Sequence, residues 1–442
     1  MDILNIAADI TQSIKKRNLY AEVVIHETNK ISVSQRLLKI EQVSQSKNCT
    51  IGIRAIANKN KSAYVSTNDL TNLDEVINLV IEMAKNAPED IYIDFATQDL
   101  PSVTGLAILD SNIITINDLT KITETAENTA LKHDKIINSE GASASYTLTN
   151  IALSTATGFI GSFSKSIFTN EVAVIAREKD QMKVGYEYDI GCNFYDLKTP
   201  QIIGTEAAQR AAAQLNARTI ETSRLPVVLE KRAAKELVKN FASAINSNNV
   251  ASNSSFLQNS LNASIFSDQI TIIDNPMLPK GIASRPFDGE GIVSKKNILV
   301  CNGILQNWIL DLSSAKRLNL ITTGNAIRAS NASITPGASN FYIKNGDITF
   351  AELIQNITKG IFVTDVFGFG INLINGDYSQ GASGFYIENG EITYPVHEIT
   401  IAGNLKDMLS NITIADDLSF CGQYNSPTIK IAEMTVAGSS KI

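Results

Sequence analysis

The strongest constraint on the fold is a repeat. GASNFYIKNGDITF (337–350) and GASGFYIENGEITY (381–394) agree at ten of fourteen positions and lie 44 residues apart. Each places Asn-Gly between alternating strand-like runs, at Asn345-Gly346 and Asn389-Gly390. Asn and Gly both tolerate φ > 0, which a two-residue type I′ hairpin requires at both central positions. ILVCNGILQNWIL supplies a third hairpin of this kind at Asn302-Gly303. Between the repeat copies, TFAELIQNITKGIFVTDVFG reads as a helix capped by Gly360, then a strand ending at Gly368. The second half of the chain is therefore predicted to be a strand-rich α+β domain built from Asn-Gly hairpins.

The first half alternates helices with groups of strands. Apolar residues at helical spacing predict a helix over residues 3–17. AEVVIHET and ISVSQRLL read as paired strands, and TIGIRAIA and SAYVST as a second pair around NKNK. Asp74-Glu75 opens a helix that stops before Pro88. Asn117 is the predicted N-cap of a helix reaching Lys132. A long all-strand stretch follows, and Thr199-Pro200 begins an Ala-rich helix as N-cap and N1. A boundary in TIETSRLP divides a mixed α/β domain, 1–220, from a strand-rich domain, 221–442. PVVLE and a helix over 231–246 open the second domain, and the polar INSNNVASNSS follows as a loop.

Composition narrows the function classes. Of 442 residues, 19% are charged, with a formal net charge of −7 and no dense Lys/Arg cluster, so direct nucleic-acid binding is not expected. Lys15-Lys16 and Lys295-Lys296 read as solvated surface. The absence of a long apolar run and of a basic, apolar leader predicts no membrane span and a cytoplasmic protein. Cys49, Cys192, Cys301 and Cys421 are widely spaced and form no CxxC, which fits reduced thiols.

The clearest chemical lead is His397-Glu398, because HExxH places two imidazoles on one face of a helix to share a zinc ion. Position i+4 is Ile401, and Pro395 with β-branched neighbours makes the run a strand, so no zinc motif exists there. His26 and His133 have no local partner and read as structural or surface residues. Asp288 and Glu290 in RPFDGEG read as an acidic surface turn rather than paired catalytic carboxylates. Cys421 has no His near it in sequence. No P-loop or G-x-S-x-G elbow is present.

The run GDYSQGASGFYIENGEITYPVHEITIAGNLKDML (376–409), with RPFDGEG (285–291) and NGILQNWIL (302–310), resembles the TldD/PmbA family, in its PmbA (TldE) branch. TGN (323–325), ITKGIFVTDVFGFGINLINGDYS and EMTVAG (433–438) extend the similarity. IGIRAIANKNKSAYVSTNDL and INSEGASASY carry it less specifically into the first half. The resemblance implies a mixed N-terminal domain and a strand-rich C-terminal domain. It also implies a cytoplasmic peptidase made of paired TldD and TldE subunits, which admits unfolded peptides into an enclosed cleft. Microcin maturation and antitoxin degradation are implied roles, with "modulator of DNA gyrase" as an older label.

In the TldD branch a helical HExxxH motif and a late Cys-Gly hold zinc. Here the corresponding helix is EKRAAKELVKNFASAINS, and no His occurs between 133 and 397. Cys421-Gly422 matches the late Cys-Gly, and Cys421 reads as a leftover ligand position, since one thiolate cannot replace three ligands. The chain is thus expected to be non-catalytic alone and to bind no metal, with zinc in a TldD-like partner. Its NGDYSQGASG loop (375–384) is the candidate peptide-binding surface. Gly376, Gly381 and Gly384 would permit close backbone approach, Asp377 lies among them, and Tyr378 would be an anchor. The same glycines could simply make turns. The alternative is an independent homodimeric peptide-binding or scaffold protein, or a hydrolase using Cys421.

Overall fold

The computed structural model describes residues 2–58, 60–96 and 104–438. Helix α1 (Ile3–Lys15) begins where the Asp2 carboxylate accepts from the Leu4 and Asn5 N–H groups, and it buries Ala7, Ile10 and Ile14. The strands β1 (Tyr20–Arg36), β2 (Lys39–Ala57) and β3 (Lys61–Thr67) follow, then α2 (Leu73–Asn86). AEVVIHET and ISVSQRLL are not two strands but parts of β1 and its turn; between them lies no Gly or Pro to break the chain. The reversal falls at Leu37-Leu38, with φ of 49° and 60°. The Glu127 carboxylate holds that turn by accepting from both backbone N–H groups at 2.8 Å.

Glu127 belongs to α3 (Ile116–Leu131), whose cap is Thr115 rather than Asn117, because Thr115 and Asp118 close a capping box. The strands β4 (Ile136–Ser154), β5 (Ile160–Glu178) and β6 (Gln181–Gly191) lead to α4 (Pro200–Ala213). These six strands form one antiparallel sheet in the order β3-β2-β1-β4-β5-β6. The helices cover one face: α1 and α2 bury Val23, Ile25, Ile51 and Ile53, while α3 and α4 bury Ala142, Val172 and Val174. Side-chain alternation sends Glu22, Val24 and His26 to the other face. There Val24 and Leu153 pack with Phe287 and Ala332 of the second half.

The second half begins with β7 (Ser223–Leu229), α5 (Lys231–Ala244) and α6 (Ser247–Ala251), the last being a short helix inside the expected Asn/Ser loop. Asn246 caps it by accepting from Asn248 N–H. Next come β8 (Ile272–Asp274), β9 (Asn297–Cys301), β10 (Ile304–Leu305), α7 (Leu312–Arg317), β11 (Ala326–Arg328), β12 (Ile334–Pro336) and β13 (Phe341–Ile343). The chain continues through α8 (Phe350–Ile354), β14 (Lys359–Ile371), β15 (Asp377–Glu388), β16 (Glu391–Asn404), α9 (Leu405–Ser410), β17 (Ile412–Ile414), β18 (Tyr424–Asn425) and β19 (Ile429–Ala437).

One sheet runs β16-β15-β14-β7-β19-β17, and β16 also pairs with β19, so five strands close on themselves. A second sheet runs β10-β9-β8-β13-β18. Leu237, Val238 and Phe241 of α5 join residues of both sheets in one core.

Two of the three Asn-Gly hairpins form: φ is 48° and 77° at Asn302-Gly303, and 53° and 81° at Asn389-Gly390. Asn345-Gly346 makes none. Gly346 N–H donates to Ala415, Ile348 pairs with Ala415, and Thr349 caps α8 through a capping box with Glu352. The local capping signal thus removes the second strand of the first repeat copy. Gly360 lies within β14 rather than at a helix cap, since α8 stops at Ile354, and β14 passes Gly368 to reach Ile371. Among the described residues no helix is long and apolar enough to cross a membrane.

Candidate functional site: a charged cleft between the halves

Strand β6 forms one edge of the first sheet, and α4 and the start of α5 lie beside it. Beside these elements lie three adjoining cavities of 530, 560 and 550 Å³, the first and third walled by β14 and the second by residues 419–426. Arg232 lines all three, so they form one cleft. Its floor is an ion-pair network. The buried Glu187 carboxylate meets Arg210 at 2.9 Å, Arg232 at 2.5 Å and Lys198 at 3.6 Å. Arg210 also reaches Glu230 at 3.0 Å. Burial would lower the Arg210 pKa, but Glu230 and Glu187 outweigh it and raise it above the ordinary value.

Above this floor the Arg232 guanidinium lies 4.6 Å from the Tyr186 ring centre, and Lys235 lies 5.0 Å from that of Tyr188. Tyr186 donates to Asp365 at 3.3 Å; burial and then the Asp365 charge push its phenol pKa up. The far wall is apolar and open to solvent, with Phe367 and Phe369 at 55% and 103% exposure. The cleft therefore offers fixed charge on one side and exposed aromatic surface on the other.

Cys421 and α5 meet in this cleft, sharing one cavity with Lys231 and Lys235. Cys421 N–H donates to Asn425 at 2.8 Å, and its Sγ lies 3.9 Å from the Ser419 hydroxyl. No histidine lines that cavity. Where three zinc ligands and a water would be needed, the helix instead presents ammonium and guanidinium groups, which have no free electron pair to give. Among the described residues no three His, Cys, Asp or Glu side chains converge as a metal site. The donor set does not fit zinc.

The three histidines lie elsewhere. His397 is half-buried in β16, its N–H donating to Arg218, and Glu398 beside it has φ 54° within a bulge. His133 follows α3, with Nδ1 accepting from Lys135 N–H at 3.2 Å. His26 points from β1 toward the second half, where its Nε2 is buried without a partner.

The expected 375–384 loop is corrected: from Asp377 onward it is β15, paired on both sides by β14 and β16. Gly376 holds the preceding turn at φ 86°, and Asp377 accepts from Asn375 and Asn404. Tyr378 is 4% exposed and packed in the main core, so it is not an exposed anchor, although it borders the cleft. A side chain at Gly381 would meet the Phe367 ring, and one at Gly384 the Phe362 carbonyl. Those two glycines admit neighbouring parts of the protein itself.

Asp288 and Glu290 are also corrected: they are buried, not an acidic surface turn. Asp288 accepts from the N–H groups of Glu290, Ile292 and Ala326, and Glu290 from that of Leu312. Burial, then Asp288 and Asp311, push the Glu290 pKa well up. The sequence reading also missed Glu187, Arg210 and Arg232, and the buried Glu22–Arg54–Arg328 cluster. The available signal was a charged residue inside an apolar strand pattern, as Glu22 is in AEVVIHET.

Known proteins define the class. Three domain patterns of one metallopeptidase family match: PmbA/TldA metallopeptidase domain 1 over 21–85, the central domain over 110–215 and the C-terminal domain over 222–438. The Metalloprotease PmbA of Escherichia coli O157:H7 is 32% identical, over 95% of this chain and 92% of its own. The Metalloprotease PmbA homolog of Haemophilus influenzae is 33% identical, over 96% of this chain and 93% of its own. This chain belongs to the PmbA/TldD family, in its PmbA (TldE) branch. The Metalloprotease TldD homolog of the same H. influenzae strain is less similar, at 23% identity over 88% of this chain and 87% of its own. The crystal structure of TldE from Thermococcus kodakarensis shares the fold, with TM-score 0.87 at 20% identity over 98% of this chain and 99% of that one.

Proposed function

We propose that this chain is the zinc-free subunit of a paired peptidase, lining the substrate cleft while a TldD-like partner supplies the metal and the general base. One observation carries the reading: Cys421 and α5, which the family resemblance assigns to the zinc site, line one cavity, and α5 contributes Lys231, Arg232 and Lys235 to it but no histidine. The cleft floor is committed to ion pairs around Glu187 rather than to ligands. Phe367 and Phe369 provide apolar wall for the exposed side chains of unfolded peptides. The β6 edge beside them suits an extended backbone, which adds affinity with little dependence on sequence.

The test is cleavage of an unfolded, fluorescently quenched peptide by this chain, by an HExxxH partner and by their mixture. The proposal expects chelator-sensitive cleavage in the mixture and none from this chain alone. Metal-independent cleavage by the lone chain, lost in Cys421→Ser, would replace it with the thiol-hydrolase reading.

A further inference from the structure

A separate cavity of 340 Å³ lies where the helix-free face of the first sheet meets residues 282–289. Most of its wall is apolar, with Ile151, Leu153, Phe163, Phe287 and Ile327. Five nitrogen-bearing side chains also line it, of which Arg328 is paired with Glu22 and Gln423 donates to the Ala338 carbonyl, leaving His26, Lys165 and Arg285. The Arg285 guanidinium makes no hydrogen bond or ion pair with any described residue, and its Nε and Nη2 are buried. His26 Nε2 is likewise buried and unpartnered. Lys165 donates only to the Ile282 carbonyl; burial depresses its pKa, and the Arg285 charge depresses it further. Asp288 also lines the cavity, but its oxygens already accept from three backbone N–H groups.

Buried polar atoms are almost always paired, and leaving them without a partner is costly. Arg285 is half-buried as a residue, and a hydrogen-bonded turn holds it in place. Asn340, fully buried, accepts from Ala283 N–H at 3.0 Å and donates to Ser284 and Asn275 at 2.8 Å. Arg285 N–H donates to Pro276 at 3.0 Å. Arg285 and Lys165 thus face a largely apolar chamber; the Asp288 charge acts on Arg285 without a hydrogen bond between them, so the Nε and Nη2 donors are left over for an anion. The planar Nε/Nη2 fork matches a carboxylate in a bidentate pair, and the volume is at the small end of the usual range for ligand pockets, about 300–1,000 Å³.

We propose that this pocket binds the carboxylate of a small acid with an apolar body, Arg285 taking both oxygens and Lys165 and His26 flanking them. A free aliphatic acid and the C-terminal residue of a peptide share that chemistry. The site stands apart from the cleft proposal, so either can fail alone. Calorimetric titration of the full chain tests it with N-acetyl-leucine, N-acetyl-leucinamide, inorganic phosphate and a tetrapeptide ending in leucine with a free carboxylate.

The expected result is saturable binding of N-acetyl-leucine, with at least tenfold loss for the amide and for Arg285→Met. Lys165→Met, expected to weaken binding in the same direction, is the second variant should Arg285→Met not fold. Equal binding of the tetrapeptide would identify a peptide terminus as the ligand form, and its exclusion a free acid. No saturable binding of either carboxylate, equal binding of the amide, tighter binding of phosphate, or binding unaffected by both variants would overturn the proposal.

Discussion

Replacing Glu22 by Gln tests how the two halves are joined. Glu22 on β1 accepts from Arg54 on β2 at 3.1 Å and from Arg328 on β11 at 2.7 Å. Their side chains are 5%, 8% and 2% exposed, so water can replace neither partner. Removing one member of a buried ion pair costs about 3–5 kcal/mol, because the charge left behind stays buried. Arg328 keeps the Gly289 and Ala332 carbonyls, whereas Arg54 already has an unpartnered Nε, so the loss falls on Arg54. Gln retains one acceptor oxygen, which places the expected loss near the lower end, about 3 kcal/mol.

Urea denaturation would measure the loss, and hydrogen exchange in β2 and β11 would locate it. A variant with Met at all three positions should recover most of the stability, since an apolar replacement leaves no orphan charge. The pH dependence has a definite sign. Burial alone would raise the Glu22 pKa, but Arg328 and Arg54 outweigh it and hold it below the ordinary carboxylate value. The resulting stability is present above the unfolded-state pKa of about 4.3 and is lost as pH falls through the folded value. Glu22→Gln should lack this acid-side loss. A cost below about 1 kcal/mol, or an unchanged acid limb, would refute the reasoning.

Glu290 has the opposite sign: its raised pKa makes stability complete below the unfolded value and lost as pH rises through the folded one. Glu290→Gln, which can still accept from Leu312 N–H, should therefore be close to neutral at pH 4 and more stable than the parent at pH 9 by thermal melting. Gly384→Ala forces a Cβ against the Phe362 carbonyl in the β14–β15 ladder, and should lower stability by roughly 1–3 kcal/mol in urea. Changing Phe367 and Phe369 together to Ser should cost no more than about 1–2 kcal/mol, since Phe369 is fully exposed and Phe367, whose ring covers Gly381, is only partly buried. The same double change should weaken binding of unfolded peptide about tenfold or more by fluorescence anisotropy.

Much of the fold was legible because local signals agreed with tertiary structure. Asn302-Gly303 and Asn389-Gly390 make turns that only positive φ allows, and Thr199-Pro200 starts α4. The errors arose where two local signals competed or where the deciding contact was distant. Thr349-Glu352 capping overrode the Asn345-Gly346 hairpin. Gly381 and Gly384 suggested close backbone approach, and in the fold the groups that approach them are Phe367 and Phe362 of the same chain. Asp288 and Glu290 looked exposed because nothing nearby in sequence shows that Leu312 and Ala326 supply their hydrogen-bond donors. Cys421 was legible as a family position, but Lys231 and Lys235, which line the same cavity, come from 186 or more residues away.

The most direct test of the zinc-free account is metal stoichiometry. The purified chain, equilibrated with excess zinc and then freed of unbound metal, would be analysed by mass spectrometry beside its complex with an HExxxH partner. The account predicts less than a tenth of an equivalent on this chain and one equivalent per complex, unchanged by Cys421→Ser. One tightly held equivalent on the lone chain, lost in Cys421→Ser, would contradict it and return Cys421 to the ligand set.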